Sequence, residues 1–305
     1  MTSLIPPARC ATIACTKVLP RLCLGLALAS ATFAAPLLAS SVTWTPSVVF
    51  AGSPELIRVN VAGASTVEGE SFGRKLQFFR GRESNVWIAL AGVDVEAPEG
   101  PSIWQIVAHT ANGAIDLSQT VEIHSPHYRT GSLKVAPGFV EPAPEALARI
   151  QEEVKLKEEV FATSAQNPLW TASFRAPVSA LPTDSFGTRR MFNGKLASIH
   201  KGMDFRAPVG TPVRAASSGT VVLAQPLYYE GNCVVLDHGL GLYTLSMHLS
   251  RIDVSVGQSV NTGDRLGLSG ATGRVTGPHL HWAVRWQGAY LDPAKMLRLP
   301  LDGLR

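Results

Sequence analysis

The chain has 305 residues, of which 46% are hydrophobic, and a formal net charge of +4. This length and composition predict one or two globular domains with buried cores. The first forty residues hold three basic side chains and no acidic one, so without them the net charge falls to +1. The near-neutral remainder argues against nucleic acid as a partner.

Residues 1–40 have the three parts of a secretory signal peptide. Basic residues come first, an apolar run follows at 22–28, and small residues in ASATFAAPLLAS end the segment. Cleavage fits after Ala31, Ala34 or Ser40, and the pattern does not choose among them. We therefore expect export to the periplasm or another part of the cell envelope.

A retained membrane anchor is the alternative, because the apolar stretch at 22–38 approaches the length that spans a bilayer. Pro36 and the many Ala and Ser residues argue against this alternative. We expect no stable membrane span once the signal peptide has been removed.

Cysteine usage predicts an exported chain without an internal disulfide. Three of the four cysteines lie in the signal peptide, and Cys23 lacks the preceding small residue of a lipoprotein signal. Cys233 is left alone and cannot pair within the chain. Its strand-like surroundings predict a small buried side chain rather than a metal ligand.

The segment 42–123 alternates short apolar stretches with turn residues. Five candidate strands share this spacing: LIRVNV (56–61), KLQFF (75–79), NVWIALAGV (85–93), SIWQIVAHT (102–110) and AIDLSQTVEI (114–123). Asn112-Gly113 predicts a hairpin between the last two, because both positions of that turn favour positive φ. The pattern predicts a β-sandwich-like N-terminal domain, which we interpret as a scaffold or a binding module.

A linker is predicted at 124–182. Its segment 145–161, EALARIQEEVKLKEEVF, predicts an amphipathic helix. The apolar residues at helical spacing are Leu147, Ile150, Val154 and Phe161. Glu and Lys occupy the other faces, which indicates a solvated side rather than a basic nucleic-acid-binding helix.

The second domain, at 183–300, is again rich in predicted strands. Apolar and polar residues alternate and glycines mark the turns in TPVRAASSGTVVLA, GNCVVLDHG, GLYTLSMHLS, GQSVNTGDRLGLSG and HLHWAVRWQ. No long helical pattern interrupts these segments. The sequence therefore predicts a mainly β chain whose C-terminal domain is antiparallel and tightly turned.

Five of the eight histidines lie in this second domain. His279 and His281 are two residues apart in a predicted strand, so both side chains point the same way, while Leu280 points into the core. His200 and Asp204 lie in a loop or strand end, where their side chains can converge on one ion. Zinc in hydrolases commonly has three protein ligands and one open position. His200, Asp204 and one of the two HLH histidines would supply such a set.

The other HLH histidine would stand beside the zinc without coordinating it. His248 is a further candidate, since an imidazole near the zinc can act as a general base. Each motif is weak alone, because an isolated H-x-H, H-x-x-x-D or buried histidine is more often structural. His238, in the LDHG turn, is assigned such a structural role. The combination within one small exported domain favours a catalytic metal site.

The combined set of HKGMD at 200–204, HL at 248–249 and GPHLH at 277–281 resembles the lysostaphin/LytM-type zinc metallopeptidases. FGTRRMFNGK, DFRAPVGTPVRAASSGTVV and GDRLGLSGATGRVTGPHLHW resemble the same family, and the resemblance covers roughly residues 183–297. The two-domain layout is similar to that of secreted Gram-negative members. The resemblance implies a LytM-type, duplicated-hybrid-like β domain whose zinc-floored groove cuts peptide bonds in peptidoglycan.

Position by position, the resemblance implies that His200, Asp204 and His281 bind one Zn²⁺. It implies that His248 and His279 orient the water and stabilise the tetrahedral intermediate. The chain departs from the family at one place.

Ser246 stands two positions before the histidine at 248, where the family usually has an aromatic residue. This departure implies a changed groove wall and a changed substrate preference.

The function that the resemblance implies is a zinc-dependent endopeptidase with peptidoglycan as its partner. A Gram-negative setting favours the D-alanyl–diaminopimelate cross-link over a glycine bridge. The alternative is a non-catalytic relative that has lost metal ligands and activates cell-wall amidases, and the five filled positions argue against it. VGQSV…GDRLG also resembles biotinyl and lipoyl carrier domains. That third possibility needs a lysine at a hairpin tip, and none lies between Lys201 and Lys295.

Overall fold

A computed structural model of the chain describes residues 40–133, 142–192 and 195–304. The predicted signal peptide lies outside these residues except for Ser40. The described part consists mainly of β-strands, as the alternating apolar pattern predicted. Among these residues, no helix combines the length and the apolar character that crossing a membrane requires.

The N-terminal β region is built from two sheets that face each other. Its described strands are β1 (Ser41–Thr45), β2 (Val49–Phe50), β3 (Pro54–Asn60), β4 (Ala64–Ser71), β5 (Arg74–Gln77), β6 (Phe79–Arg80), β7 (Val86–Gly92), β8 (Gly100–Thr110), β9 (Gly113–Asp116) and β10 (Gln119–His124). One sheet has the order β1-β3-β7-β6. The other has the order β2-β10-β8-β4-β5, with β9 paired to β8.

Aromatic and branched side chains fill the space between these two sheets. Trp44 of the first sheet contacts Trp104 of the second, with ring centroids 5.7 Å apart. Ile57 and Ile88 are buried in the same hydrophobic core. Alternate residues of β10 are buried, as expected for a strand with one face in the core. The β-sandwich-like prediction is confirmed.

The predicted hairpin is present, but its turn differs from the prediction. Thr110 pairs with Gly113, so Ala111 and Asn112 form the two-residue loop. Gly113 has φ +117° but Asn112 is not in the left-handed region, so positive φ at both positions was wrong. The Thr110 hydroxyl accepts a hydrogen bond from the N–H of Asn112 and donates one to the carbonyl of Gly113, which stabilises this alternative turn.

The single strand predicted at 114–123 is two strands, β9 and β10. Ser118 lies at the break, where its N–H donates to Asp116 and its hydroxyl accepts from the N–H of Ile106. A side-chain oxygen therefore takes the place of one backbone acceptor in the ladder. Periodicity cannot reveal such a substitution, because the apolar alternation continues through it.

The linker helix α1 (Pro144–Ala162) follows β11 (Thr130–Leu133). Its predicted apolar face was wrong in part, because Leu147 and Val154 are 45% and 44% exposed. Glu153 is buried instead, and its carboxylate accepts a hydrogen bond from the N–H of Tyr228. The apolar side chains that pack against the second β region are Leu156, Val160 and Phe161.

The second β region carries the remaining described elements. They are β12 (Pro182–Asp184), β13 (Arg189–Phe192), β14 (Lys195–Ile199), β15 (Met203–Phe205), β16 (Pro212–Arg214), β17 (Gly219–Leu227), β18 (Gly231–Asp237), β19 (Leu242–Ile252), β20 (Ser259–Val260), β21 (Arg265–Ser269), β22 (Leu280–Trp286), β23 (Ala289–Leu291) and α2 (Pro293–Met296).

The large sheet of this region runs in the order β12-β15-β22-β19-β18-β17-β20. Its described strand pairs are antiparallel, which confirms the antiparallel prediction. A separate sheet has the order β11-β13-β14, and β11 lies parallel to β13. The linker therefore contributes a strand beside the second β region.

The two β regions pack against each other directly. Gly92 at the end of β7 lies so close to Leu291 of β23 that a Cβ atom at position 92 would meet its side chain at 2.6 Å. All seven residues of β7 are buried. The domain and linker boundaries given by the sequence remain predictions.

Candidate metal centre

Neighbouring strands bring the predicted ligands together. In the large sheet β22 lies between β15 and β19, and Asp204 of β15 pairs with His281 of β22. His200 precedes β15 in a loop rather than a helix. Its Nε2 atom lies 3.0 Å from Oδ1 of Asp204 and 3.0 Å from Nδ1 of His281. The last two atoms are 2.7 Å apart.

The hydrogen bonds around His200 fix the orientation of its ring and direct Nε2 toward the cluster. Its Nδ1–H donates to the carbonyl of Ser185 at 3.0 Å, and Oδ2 of Asp184 lies 3.3 Å from the same nitrogen. With the single N–H of a neutral imidazole on Nδ1, Nε2 would offer its lone pair to a cation. It faces a carboxylate and another imidazole, and this concentration of electron pairs suits a cation.

The donor set fits a borderline divalent ion. Two imidazole nitrogens and one carboxylate oxygen are ligands that zinc prefers, at about 2.0–2.2 Å. Ligand atoms around a tetrahedral ion at that distance are about 3.3 Å apart. The observed separations of 2.7–3.0 Å therefore require shifts of only a few tenths of an ångström. His200, Asp204 and His281 can hold one metal ion.

Arg190 orients the carboxylate of this cluster. Its guanidinium donates to Oδ2 of Asp204 and to Oδ2 of Asp184, each at 3.0 Å. Burial alone would raise the pKa of Asp204, but hydrogen bonds and charges from His200 and His281 hold that pKa far below its usual range. Asp204 is therefore ionised, and Oδ1 is the oxygen turned toward the two imidazoles.

His248 and His279 stand beside the candidate ligands, with ring centroids 4.9 Å apart. Nδ1–H of His248 donates to the carbonyl of Thr272 at 2.9 Å, and Nδ1–H of His279 donates to the carbonyl of Gly277 at 2.8 Å. In the neutral form of each ring the lone pair would lie on Nε2. That atom of His279 lies 3.8 Å from Oδ1 of Asp204.

Burial keeps His248 neutral. Desolvation, together with the charges of His281 and His279, lowers the pKa of His248 to about 3. Its backbone adopts φ +61°, an uncommon conformation for a residue other than glycine. The N–H of His248 donates to the carbonyl of Glu230 at 2.8 Å, which helps to hold this conformation.

A groove of about 520 Å³ opens beside these side chains. Asp204, His248, His279 and His281 line it, and residues 129–131, at and just before the start of β11, form part of its wall. Solvent and an extended substrate can therefore reach the lone pairs of the two histidines outside the ligand cluster. The structure brings all five predicted site residues to this one place.

Sequence reasoning missed Arg190 and Asp184. Arg190 lies in the FGTRRMFNGK segment that carries the family resemblance, but nothing in the spacing indicated that it contacts a ligand. Asp184 lies in a stretch without any motif. Ser246 was expected to alter the groove wall, yet it is 3% exposed and lies opposite Trp282 inside the sheet.

The chain is similar to known proteins over the segment that holds these residues. Residues 198–293 match the model of "Peptidase family M23". Over 114 residues the chain is 44% identical to the peptidoglycan DD-endopeptidase ShyA of Vibrio cholerae. This aligned segment covers 37% of this chain and 26% of ShyA. The chain is also 40% identical over 98 residues to the DD-carboxypeptidase/endopeptidase Mpg of Neisseria meningitidis. This aligned segment covers 32% of this chain and 23% of Mpg. The chain thus spans about a quarter of the length of these relatives.

The fold resembles that of a solved structure as well. A putative peptidase M23 from Pseudomonas aeruginosa matches with a TM-score of 0.62 and 28% identity. The match covers 79% of this chain and 92% of that one. The likeness therefore extends well beyond the segment that the family model matches.

Proposed function

Because the chain belongs to peptidase family M23, we propose that it is a zinc-dependent endopeptidase that hydrolyses the peptide cross-links of peptidoglycan. One observation carries the proposal. Two imidazole nitrogens and a carboxylate oxygen converge within 3.0 Å, with two further histidines beside them in an open groove.

The names of the relatives support the substrate. ShyA is a peptidoglycan DD-endopeptidase and Mpg a DD-carboxypeptidase/endopeptidase, so we propose the D-alanyl–diaminopimelate cross-link as the bond that is cut. Peptidoglycan lies outside the cytoplasm, which agrees with the predicted signal peptide and with a place in the periplasm. A non-catalytic regulator would not need a complete set of ligands.

In the proposed mechanism His200, Asp204 and His281 hold the zinc ion. Zinc bound there lowers the pKa of a water molecule to about 7 and polarises the substrate carbonyl. His248 is neutral and has its lone pair on Nε2, so it accepts the proton of the attacking water. Thr272 fixes this tautomer through the Nδ1–H of His248.

His279 has a different proposed role. Its Nδ1–H is engaged by Gly277, so Nε2 can donate to the developing oxyanion only when the ring is protonated. In that form it stabilises negative charge at the reacting carbonyl. The same proton can then pass to the leaving amine. The proton that His248 took from the water is released to solvent, and His279 takes up another from solvent, so both rings regain their starting forms.

The decisive experiment is digestion of peptidoglycan of defined cross-link type. The purified protein with one zinc ion per chain should convert D-alanyl–diaminopimelate-linked dimers to monomers, and mass spectrometry should identify the new ends. A chelator should stop the reaction, and added zinc should restore it. The proposal is wrong if the zinc-loaded protein leaves these dimers and intact peptidoglycan uncut.

A further inference from the structure

The groove beside the candidate metal centre carries an excess of positive charge. Among the described residues that line it, three are arginines, Arg129, Arg190 and Arg274, and two are aspartates, Asp184 and Asp204. A divalent cation on the ligand cluster would increase this excess. The groove therefore favours an anionic group on the substrate.

The aspartates of the groove already have cationic partners. Asp184 accepts hydrogen bonds from Arg129 and from Arg190, and Asp204 accepts from Arg190. Arg190 is thus committed to orienting the ligand cluster. Arg274 is the third arginine of this wall.

Arg274 has the rigidity that such a role needs. Its guanidinium lies 4.4 Å from the ring centroid of Tyr229. The backbone N–H of Arg274 donates to the backbone carbonyl of Tyr229 at 2.9 Å. One residue earlier, Gly273 packs so closely that a Cβ atom there would lie 2.3 Å from the backbone nitrogen of Gly231. Stacking and backbone contacts therefore hold Arg274 in place before substrate binds.

Arg274 is also close to the reacting groups. Thr272, two residues before it, accepts the Nδ1–H of His248, and Arg274 lines the groove together with His248. Burial lowers the pKa of Arg274, and the charge of Arg190 lowers it further. The charges of Tyr229 and Glu230 act in the opposite direction. A carboxylate bound here would offset the repulsion that Arg190 exerts on the charge of Arg274.

We propose that Arg274 is a specificity-determining residue that binds the substrate carboxylate adjacent to the scissile amide. The inference rests on the proposed function and names the group that is recognised. In a D-alanyl–diaminopimelate cross-link, the amide nitrogen is attached to a carbon that itself bears a carboxylate. A glycyl bridge has no such group. Arginine binds carboxylates through two parallel hydrogen bonds, which makes it suited to this distinction.

The test uses two muropeptide dimers joined by the same amide. One has a carboxylate on the carbon next to the scissile nitrogen, and the other has a carboxamide there. We expect the zinc-loaded parent to prefer the carboxylate by a kcat/KM ratio on the order of 10- to 100-fold. Arg274→Met should lose this factor on the carboxylate substrate and change by no more than about threefold on the carboxamide.

Matched variants separate recognition from folding. Arg274→Lys keeps the charge without the paired hydrogen bonds and should give an intermediate preference. Arg265→Met removes an exposed arginine that pairs with Asp253 and should behave as the parent does. Zinc content and thermal unfolding are measured for each variant.

The outcomes are distinct. Equal cleavage of the two dimers by the parent would overturn the inference but leave the endopeptidase proposal standing, and this result needs no folded variant. An equal loss on both substrates in Arg274→Met would overturn it as well. Cleavage of neither dimer by the parent would overturn the proposed function and the inference together.

Discussion

Nε2 of His200 and Nδ1 of His281 lie 3.0 Å apart although 81 positions separate the two residues in the chain. The antiparallel pairing of β15 with β22 produces this contact, because it places Asp204 opposite His281 and His200 only four residues away. Two imidazole nitrogens this close to each other and to one carboxylate oxygen form a donor set that suits a divalent cation. The contact therefore makes metal binding the first property to test.

Loss of either predicted ligand should remove the metal. We expect His200→Ala and Asp204→Ala to bind much less than one zinc per chain and to have no endopeptidase activity, since two remaining ligands form an incomplete site. Plasma emission spectrometry of the dialysed proteins measures the metal. Zinc should raise the melting temperature of the parent, because it binds the folded state, but not that of the variants.

The matched control is His109→Ala, which removes an exposed histidine that pairs with Glu68 in the N-terminal region. It should keep the zinc content of the parent. Stoichiometric zinc in the Asp204→Ala protein would contradict the proposed ligand set.

The two histidines outside the ligand cluster should matter for turnover rather than for zinc binding. We expect His248→Ala and His279→Ala to retain zinc and to lose roughly 10²- to 10⁴-fold in kcat, the range for a positioned acid or base. Their carbonyl partners, Thr272 and Gly277, are left without a side-chain donor, and Gly277 lines the groove. Parent-like cleavage by His279→Ala would show that the assignment of its role is wrong.

Arg190 should contribute to metal affinity through Asp204. Arg190→Met leaves the ligands in place but frees Oδ2 of Asp204 to turn, so we expect zinc to bind about 10- to 100-fold more weakly. Competition with a chelator of known affinity measures the change. Arg189→Met is the matched control, because Arg189 is the exposed neighbour in the same strand. Equal affinities in the two variants would exclude the positioning role.

The sequence could predict the side on which a residue lies but not its distant partners. The alternation in HLH correctly predicted that Leu280 lies in the core, where it is fully buried. It also predicted that the two flanking histidines share the opposite side, and both line the groove. The convergence of His200 with His281 depended on strand register, which no spacing within one segment reveals. The family resemblance supplied that step.

The predictions that were wrong or incomplete have a common physical cause. Polar contacts do not follow the periodic spacing of apolar residues on which those predictions were based. Glu153 is a charged residue on the predicted solvated face of α1, yet it is buried because it accepts the N–H of Tyr228. Ser118 interrupts a strand because its hydroxyl replaces a backbone acceptor. Arg190 was missed for the same reason, since its role follows from two carboxylates and not from apolar alternation.

Stability of the zinc-free protein should fall as the pH falls from 6.5 to 4, in part because of His238. Burial lowers the pKa of this residue to about 4, and its ring bonds Ser218 and Thr244. In this window the unfolded chain takes up a proton that the folded chain does not. The free energy of unfolding therefore falls by up to about 3 kcal/mol. Above pH 6.5 the contribution is fully present.

Denaturant unfolding across this pH range measures the effect. His248 and His281 also have lowered pKa values and add to the loss. His238→Asn should be less stable at pH 8 but should show a shallower decline toward pH 4. His109→Asn should keep the slope of the parent. An unchanged slope in His238→Asn would rule out this contribution.

Helix α1 should support His248 through one half-buried ion pair. Lys157 of the helix pairs with Glu230, and the carbonyl of Glu230 accepts the N–H of His248 at 2.8 Å. Lys157→Met would leave the Glu230 carboxylate, whose side chain is only 14% exposed, without its cation. We expect the free energy of unfolding to fall by about 1–3 kcal/mol and kcat to decrease.

Lys155→Met, on the exposed side of the helix, should change the stability by less than about 0.5 kcal/mol. Equal effects of the two substitutions on stability and on kcat would mean that the helix does not act through Glu230.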